Sequence, residues 1–274
     1  MGSKVRCLNC SVASEIGRDN SACPCSPPLP LPPHKNTIGT QCETSLHRDL
    51  KFNYVGSGQT EVEVAGFVAD GVNAEGEFIE VQTGSFGPLK EKAHKLAAQG
   101  RLCIVYPIIM LKYIEVFDLD GKRRYRRKSP RRGNVWDIFG ALIHAPELPL
   151  IHGLVIELAL VDVSEQRVCD GKGSWRRKGM SIQDRKLETV HERIRLERLS
   201  DYLRFIPFTK DEEFTSATLG EKAGIGINKA RKTLYVLNKL GIVKKTGKRS
   251  NAIVYQVALL RMKKPTGDAQ QVLE

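Results

Sequence analysis

Apolar residues recur at helical spacing in some stretches of the chain and alternate in others. From Gln41 to Phe52 the pattern is helical: Leu46 and Leu50 form a stripe, and Glu43 lies one turn before Leu46 and His47. After Gly56-Ser57-Gly58, Val62, Val64 and Val68 alternate up to Asp70-Gly71, which reads as a strand ending in a turn. Asn73 to Glu77 reads as a second turn, Phe78 to Thr83 as a strand, Gly84 to Pro88 as a loop and Leu89 to Gln99 as a helix. Leu102 to Tyr106 has the continuous apolar character of a buried strand, closed by Pro107. This order predicts an α/β unit built on a small mixed sheet flanked by helices.

Further on, Tyr113 to Phe117 and Arg123 to Arg127 read as a basic hairpin turning at Asp118-Leu119-Asp120-Gly121. Asn134 is placed to cap a helix reaching His144, Leu154 to Val163 is strongly β-like, and Leu187 to Phe205 reads as a long polar helix bridging to a second domain. There, Ala217 to Ala223 forms one helix, Gly224-Ile225-Gly226 a turn, and Asn228 caps a second helix running to Leu240. Two strands, Ile242 to Lys245 and Ala252 to Val257, follow with a basic tip between them. This succession resembles a winged helix-turn-helix.

Charge changes the picture. The 274 residues carry 43 Lys+Arg against 31 Asp+Glu, a formal net charge of +12, which favours a polyanionic partner. Eight Lys/Arg and no acid lie between Lys122 and Arg132, and the same holds between Asn228 and Arg249, so both windows suit phosphate. Between Glu43 and Met110 the balance reverses, with nine acids against six bases. No stretch has the length and apolarity of a membrane span, and the N-terminus lacks a signal-peptide core; a cytoplasmic protein without a membrane partner is expected. Cys7, Cys10, Cys23 and Cys25 offer four thiolates to zinc, although Cys-x-Cys is a poor half-site and the Pro-rich run from Ser26 to Pro33 favours a disordered leader. The boundaries expected are a leader over 1–37, an α/β domain with its basic hairpin over 38–186, a linker helix and winged helix over 187–264, and a disordered tail over 265–274.

The acidic region carries the candidate chemistry. Asp70 and Glu80 sit on neighbouring strands, so two carboxylates can share Mg²⁺ (or Mn²⁺), the kind of ion that phosphodiester hydrolysis needs. Glu43 on the first helix, Ala69-Asp70-Gly71, then Ile79-Glu80-Val81-Gln82-Thr83-Gly84, resemble the core of the PD-(D/E)xK, restriction-endonuclease-like, nucleases. The likeness spans Glu43 to Tyr106 and also extends to an uncharacterised bacterial family joining such a core to a winged helix. It implies a metal-dependent endonuclease whose catalytic residues are Glu43, Asp70, Glu80, Gln82 and Lys90. Gln82 occupies the family's lysine position, so the charge must come from the following helix, with Lys90 first and Lys92 next. Double-stranded DNA is the partner expected, with a homodimer left open. Asn228, Lys229, Arg231, Lys232 and Tyr235 would face it from the recognition helix, Lys248 and Arg249 from the wing, and Arg123, Arg124, Arg126 and Arg127 from the hairpin. The rival reading is a non-catalytic DNA-binding regulator with a degenerate nuclease-like domain, for which Gln82 speaks. P-loop, zinc-hydrolase and serine-elbow motifs are missing from the sequence.

Overall fold

The computed structural model describes residues 44–258. The leader with its four Cys, Glu43 and the tail therefore lie outside the described residues. Within them the fold is mixed α/β, with a mixed sheet flanked by helices. Helix α1 (Ser45–Val55) is followed by β1 (Gln59–Val64), β2 (Phe67–Val72) and β3 (Phe78–Val81), an antiparallel meander. Helix α2 (Lys90–Ala97) then crosses over to β4 (Leu102–Phe117), which lies parallel to β3. The basic strand β5 (Arg123–Lys128) folds back on β4. Beyond the short helix α3 (Ile138–Leu142), β6 (Leu154–Val168) pairs parallel with β4, and β7 (Ser181–Leu196) closes the sheet antiparallel to β6. The sheet has seven strands, in the order β1-β2-β3-β4-β6-β7 with β5 on β4, and is not the small one expected.

Four local readings in the sheet domain are corrected. The strand expected over Val62–Val68 is a hairpin: Val64 faces Phe67 across Ala65 and Gly66, whose φ of 51° and 80° give the two-residue turn its hand. Asp70-Gly71 is no turn but lies inside β2. Gly71 is there because a Cβ would stand 2.5 Å from Val55 of α1 and 2.7 Å from the Gln59 carbonyl. Pro107 does not end β4. Leu102 donates to the Gly153 carbonyl and Gln82 to that of Val105, so even-numbered amides here face β6 and odd-numbered ones the β3 side. The amide that Pro107 lacks would point past the end of β3, where no ladder needs it.

The fourth correction is the largest. Leu187–Phe205 is not a helix: its first half belongs to β7, and a short 3-10 helix, Leu199–Phe205, follows. The expected boundary at 186/187 thus falls inside a strand. Glu188 and His191 are extra residues relative to β6, since Leu187 and Val190 sit opposite Val163 and Val161. Each bulge stretches the two-residue period of a strand to three, which reads as helical in the sequence.

Both faces of the sheet are covered. Cys103, Val105, Ala159, Val161 and Val163 pack under α1 against Leu46 and Leu50. Leu102, Ile104, Ile108, Ile156 and Leu158 face α2 and α3 on the other side. That second core continues without a break into the C-terminal module, made of β8 (Glu213–Phe214), α4 (Ser216–Lys222), α5 (Ile227–Lys239), β9 (Val243–Arg249) and β10 (Ala252–Val257). Ala230 and Leu234 of α5 share it with Ile138 and Phe139 of α3, and Phe205 stacks edge-on against Phe139 at 4.8 Å. Gly226, not Asn228, is the residue before α5.

Gly71→Ala is expected to lower stability by about 1–3 kcal/mol, the usual consequence of overpacking a filled site. A lowered urea midpoint with unchanged slope is the expected reading; an unchanged midpoint would mean that α1 does not press on β2 as described.

Candidate active site

The ladder between β2 and β3 is short. It pairs Gly71 with Ile79 and Val72 with Phe78, and then the strands part. The Asp70 carboxylate fills the fork: its Oδ2 accepts from the Val81 amide at 2.7 Å, in place of the next ladder bond. Helix α1 closes the fork from one side. Its first turn is fixed by Asp184 of β7, which accepts from the Ser45 amide at 2.9 Å and the Ser45 hydroxyl at 2.6 Å. His47, one turn inside the helix, then brings Nε2 to 3.0 Å from Asp70 Oδ2. Helix α2 closes the other side: Lys92 Nζ stands 2.6 Å from both oxygens of Glu80.

These contacts set the charges apart. Burial alone would raise the Asp70 carboxyl, but the hydrogen bonds from His47 and Val81, with the charges of His47 and Lys92, outweigh it and hold Asp70 below its ordinary range. Glu80 goes the other way. Burial, then the neighbouring Asp70 charge, push it up to about 7 against the pull of Lys92. Two neighbouring carboxyls whose surroundings drive them in opposite directions are a common mark of a functional site.

The structure therefore brings together Asp70 and Glu80, and adds His47 and Lys92. Lys90, named first from the sequence, is exposed at the start of α2, while Lys92, named second and about half a turn further on, is the lysine that reaches Glu80. The Gln82 amide is committed to the Ser85 carbonyl at 2.5 Å and closes the loop after β3. Among the described residues no group of three or more His, Cys, Asp or Glu is assembled to hold a metal ion.

The basic residues also sort themselves. On β5, Arg123 pairs with Glu115 at 3.6 Å, Arg124 with Asp118, and Arg126 with Glu115 and Glu188, leaving Arg127 without an ion pair among the described residues. Lys229 points inward, to Asp137 at 2.5 Å and Asn134 at 3.1 Å, and ties α5 to the sheet domain. Asn228, Arg231, Lys232 and Tyr235 remain exposed along one stripe of α5, as do Lys248 and Arg249 at the end of β9. Trp175 is 83% exposed in the β6–β7 loop, with the Arg176 guanidinium over its ring. A basic cleft joins Arg131 and Arg132, from the basic window read in the sequence, to Lys112 of β4 and Arg185 of β7, which no local pattern connects to them.

The family model for a domain of unknown function, DUF8091, matches residues 44–197. The chain belongs to the DUF8091 family. The matched span runs from the cap of α1 to the end of β7, so the DUF8091 domain is the seven-stranded sheet with its helices. An uncharacterised protein of Treponema pallidum (strain Nichols) is 32% identical over 234 residues, covering 85% of this chain and 90% of the relative, and the likeness therefore reaches past the DUF8091 domain into the C-terminal module. No solved structure matches. No helix among the described residues is long and apolar enough to cross a membrane.

Because folding raises the Glu80 carboxyl, its ionisation opposes folding: the stability associated with the protonated form is present below about pH 4.5, the unfolded value, and is lost as pH rises through about 7. Glu80→Gln removes that dependence. The melting temperature of Glu80→Gln minus that of the parent is expected to climb between pH 5 and pH 8, by about 2–4 °C per kcal/mol. A flat difference across this range would show that Glu80 titrates as an ordinary carboxyl.

Proposed function

We propose that the chain is a DNA-binding, Mg²⁺-dependent nuclease, with Asp70, Glu80 and Lys92 as its catalytic residues. The observation that carries this reading is the convergence of two carboxylates and an ammonium from β2, β3 and α2 at the point where the strands part. The order of elements supports it: a helix, an antiparallel meander, a crossover helix and a parallel strand, with the acids on the second and third strands, is the arrangement that the restriction-endonuclease-like resemblance implies. Two hard carboxylates that repel each other suit a divalent cation that takes one or two protein oxygens and completes its shell with water. Asp70 and Glu80 would hold it, and when bound it supplies Lewis-acid polarisation of a phosphoryl oxygen. His47 fixes the Asp70 carboxylate through Oδ2, and the Lys92 ammonium supplies the positive charge that Gln82 lacks, beside the position where charge develops on the phosphate.

DNA binding rests on the C-terminal module. Its two helices and strand pair follow the order of a winged helix-turn-helix, and the exposed stripe Asn228, Arg231, Lys232, Tyr235 with the tip residues Lys248 and Arg249 form a basic face. Lys229 is left out of that face, and of the β5 arginines only Arg127 makes no ion pair among the described residues.

With supercoiled plasmid and Mg²⁺, the parent is expected to nick, Asp70→Ala and Glu80→Ala to lose nicking, and Lys92→Ala to fall by about 10²–10³. Lys90→Ala should stay near the parent. Nicking by Asp70→Ala at the parental rate would overturn the reading. Duplex binding by a parent that nicks nothing would leave the non-catalytic regulator instead.

A further inference from the structure

The edge of β4 is covered in three pieces with one gap. Strand β3 covers it as far as Val105, and β5 from Tyr113 onward. Between them the segment 129–133 is pinned against it, Ser129 donating to the Lys112 carbonyl at 2.7 Å and Gly133 to that of Ile109 at 2.8 Å. Tyr106, Pro107 and Ile108 are left as the floor of a cleft of about 410 Å³. Its walls include Thr83, one residue beyond Gln82, and Leu46, next to His47, so it opens beside the carboxylate pair.

The rim of this cleft is cationic. Lys112 and Arg185 both reach Glu165 at 3.0 Å, but that fully buried carboxylate is also held by Arg167 at 2.6 Å, so three cations share one negative charge. Glu165 is held down to about pKa 2, its burial outweighed by these partners, and it stays ionised without cancelling them. Arg131 and Arg132 make no ion pair among the described residues and are exposed. Asp137, the one acid in the lining, is neutralised by Lys229. Gly133 holds the arginine pair in place: a Cβ there would lie 2.4 Å from the Ile109 carbonyl, so the segment cannot lift without breaking its contact with β4. An apolar floor containing one aromatic ring, under a cationic rim whose arginine pair is carried on a pinned backbone segment, matches the chemistry of a nucleotide, a flat base bearing a phosphate.

We propose that this cleft holds one unpaired nucleotide of the DNA strand, its phosphate on Arg131 and Arg132 and its base over Tyr106 and Pro107. The placement next to the scissile phosphate rests on the nuclease reading above; the binding itself does not. A base stacked in a duplex cannot enter a cleft, so the favoured substrate is DNA with a single-stranded end or an unpaired nucleotide rather than a blunt duplex.

Binding is read by fluorescence anisotropy with the full chain in EDTA, where cleavage plays no part. The probes are a blunt 20-base-pair duplex, the same duplex with a 3-nucleotide overhang, and thymidine monophosphate or inorganic phosphate as competitors. The parent is expected to bind the overhang duplex about tenfold more tightly than the blunt one. R131Q/R132Q should lose that preference with its melting temperature unchanged, and R131K/R132K, which keeps the charge without the planar fork, should retain part of it. Thymidine monophosphate should compete at lower concentration than phosphate. Equal binding of the two duplexes by the parent, or a preference that survives in R131Q/R132Q, overturns the proposal. Equal competition by phosphate overturns the base contact. An overhang preference in a parent that nicks no DNA upholds the cleft and sinks the nuclease, whereas nicking without the preference does the reverse.

Discussion

Strands β4 and β6 lie side by side in parallel from Leu102 and Leu154 to Phe117 and Val168, and their first halves are buried on both faces. A parallel pair of that kind has no solvent side, so it needs a cover above and below. Helix α1 supplies one, while α2, α3 and the C-terminal module supply the other. The meander β1-β2-β3 then hangs on β4 through four residue pairs only, which leaves the far ends of β2 and β3 free to separate. The fork that holds the carboxylates is thus a by-product of where the central pair demands cover and where it does not.

Electrostatics at the fork follow from the two covers. Helices α1 and α2, one on each face of the sheet, also send one cationic or cation-forming group each to one acid: His47 from α1 to Asp70, Lys92 from α2 to Glu80. The two acids are driven in opposite directions although they are neighbours, because Asp70 takes a main-chain amide as well as His47, whereas Glu80 is the more deeply buried and feels the Asp70 charge. The family match adds that this arrangement belongs to the sheet domain as a unit, since its limits coincide with the first helix and the last strand of that layer.

Much of this was legible in the chain, and what was not has physical causes. The stripe of Leu46 and Leu50, the turn at Asp118–Gly121 and the succession of two helices and a hairpin after Thr215 all follow from local pattern, and they occur as read. The acids could be chosen because spacing places Asp70 and Glu80 on neighbouring strands. The misreadings arise where tertiary packing overrides local habit. Asp-Gly is turn chemistry in isolation, yet here the glycine makes room for Val55. Ala65 adopts a left-handed φ that its residue type does not advertise. Bulges disguise β7 as a helix, and Pro107 is accepted in a long strand because its side of the ladder has ended. Lys92 over Lys90 is a matter of helix phase, set by which face of α2 carries the buried Ala93 and Leu96.

One feature of the packing governs how any large ligand meets the molecule. Because α5 buries Ala230 and Leu234 in the core that α3 shares with β4, and Lys229 is fastened to Asp137, the exposed stripe of α5 is mounted on the sheet domain and does not swing at the end of a tether. Two surfaces joined by a flexible chain sample many separations, and their joint grip depends on linker length. Here the separation is built into the core. A polymer lying across both surfaces meets them at one spacing, as an object meets the jaws of a fixed gauge, and the number of repeat units between the two contacts is decided by side-chain packing around Phe139.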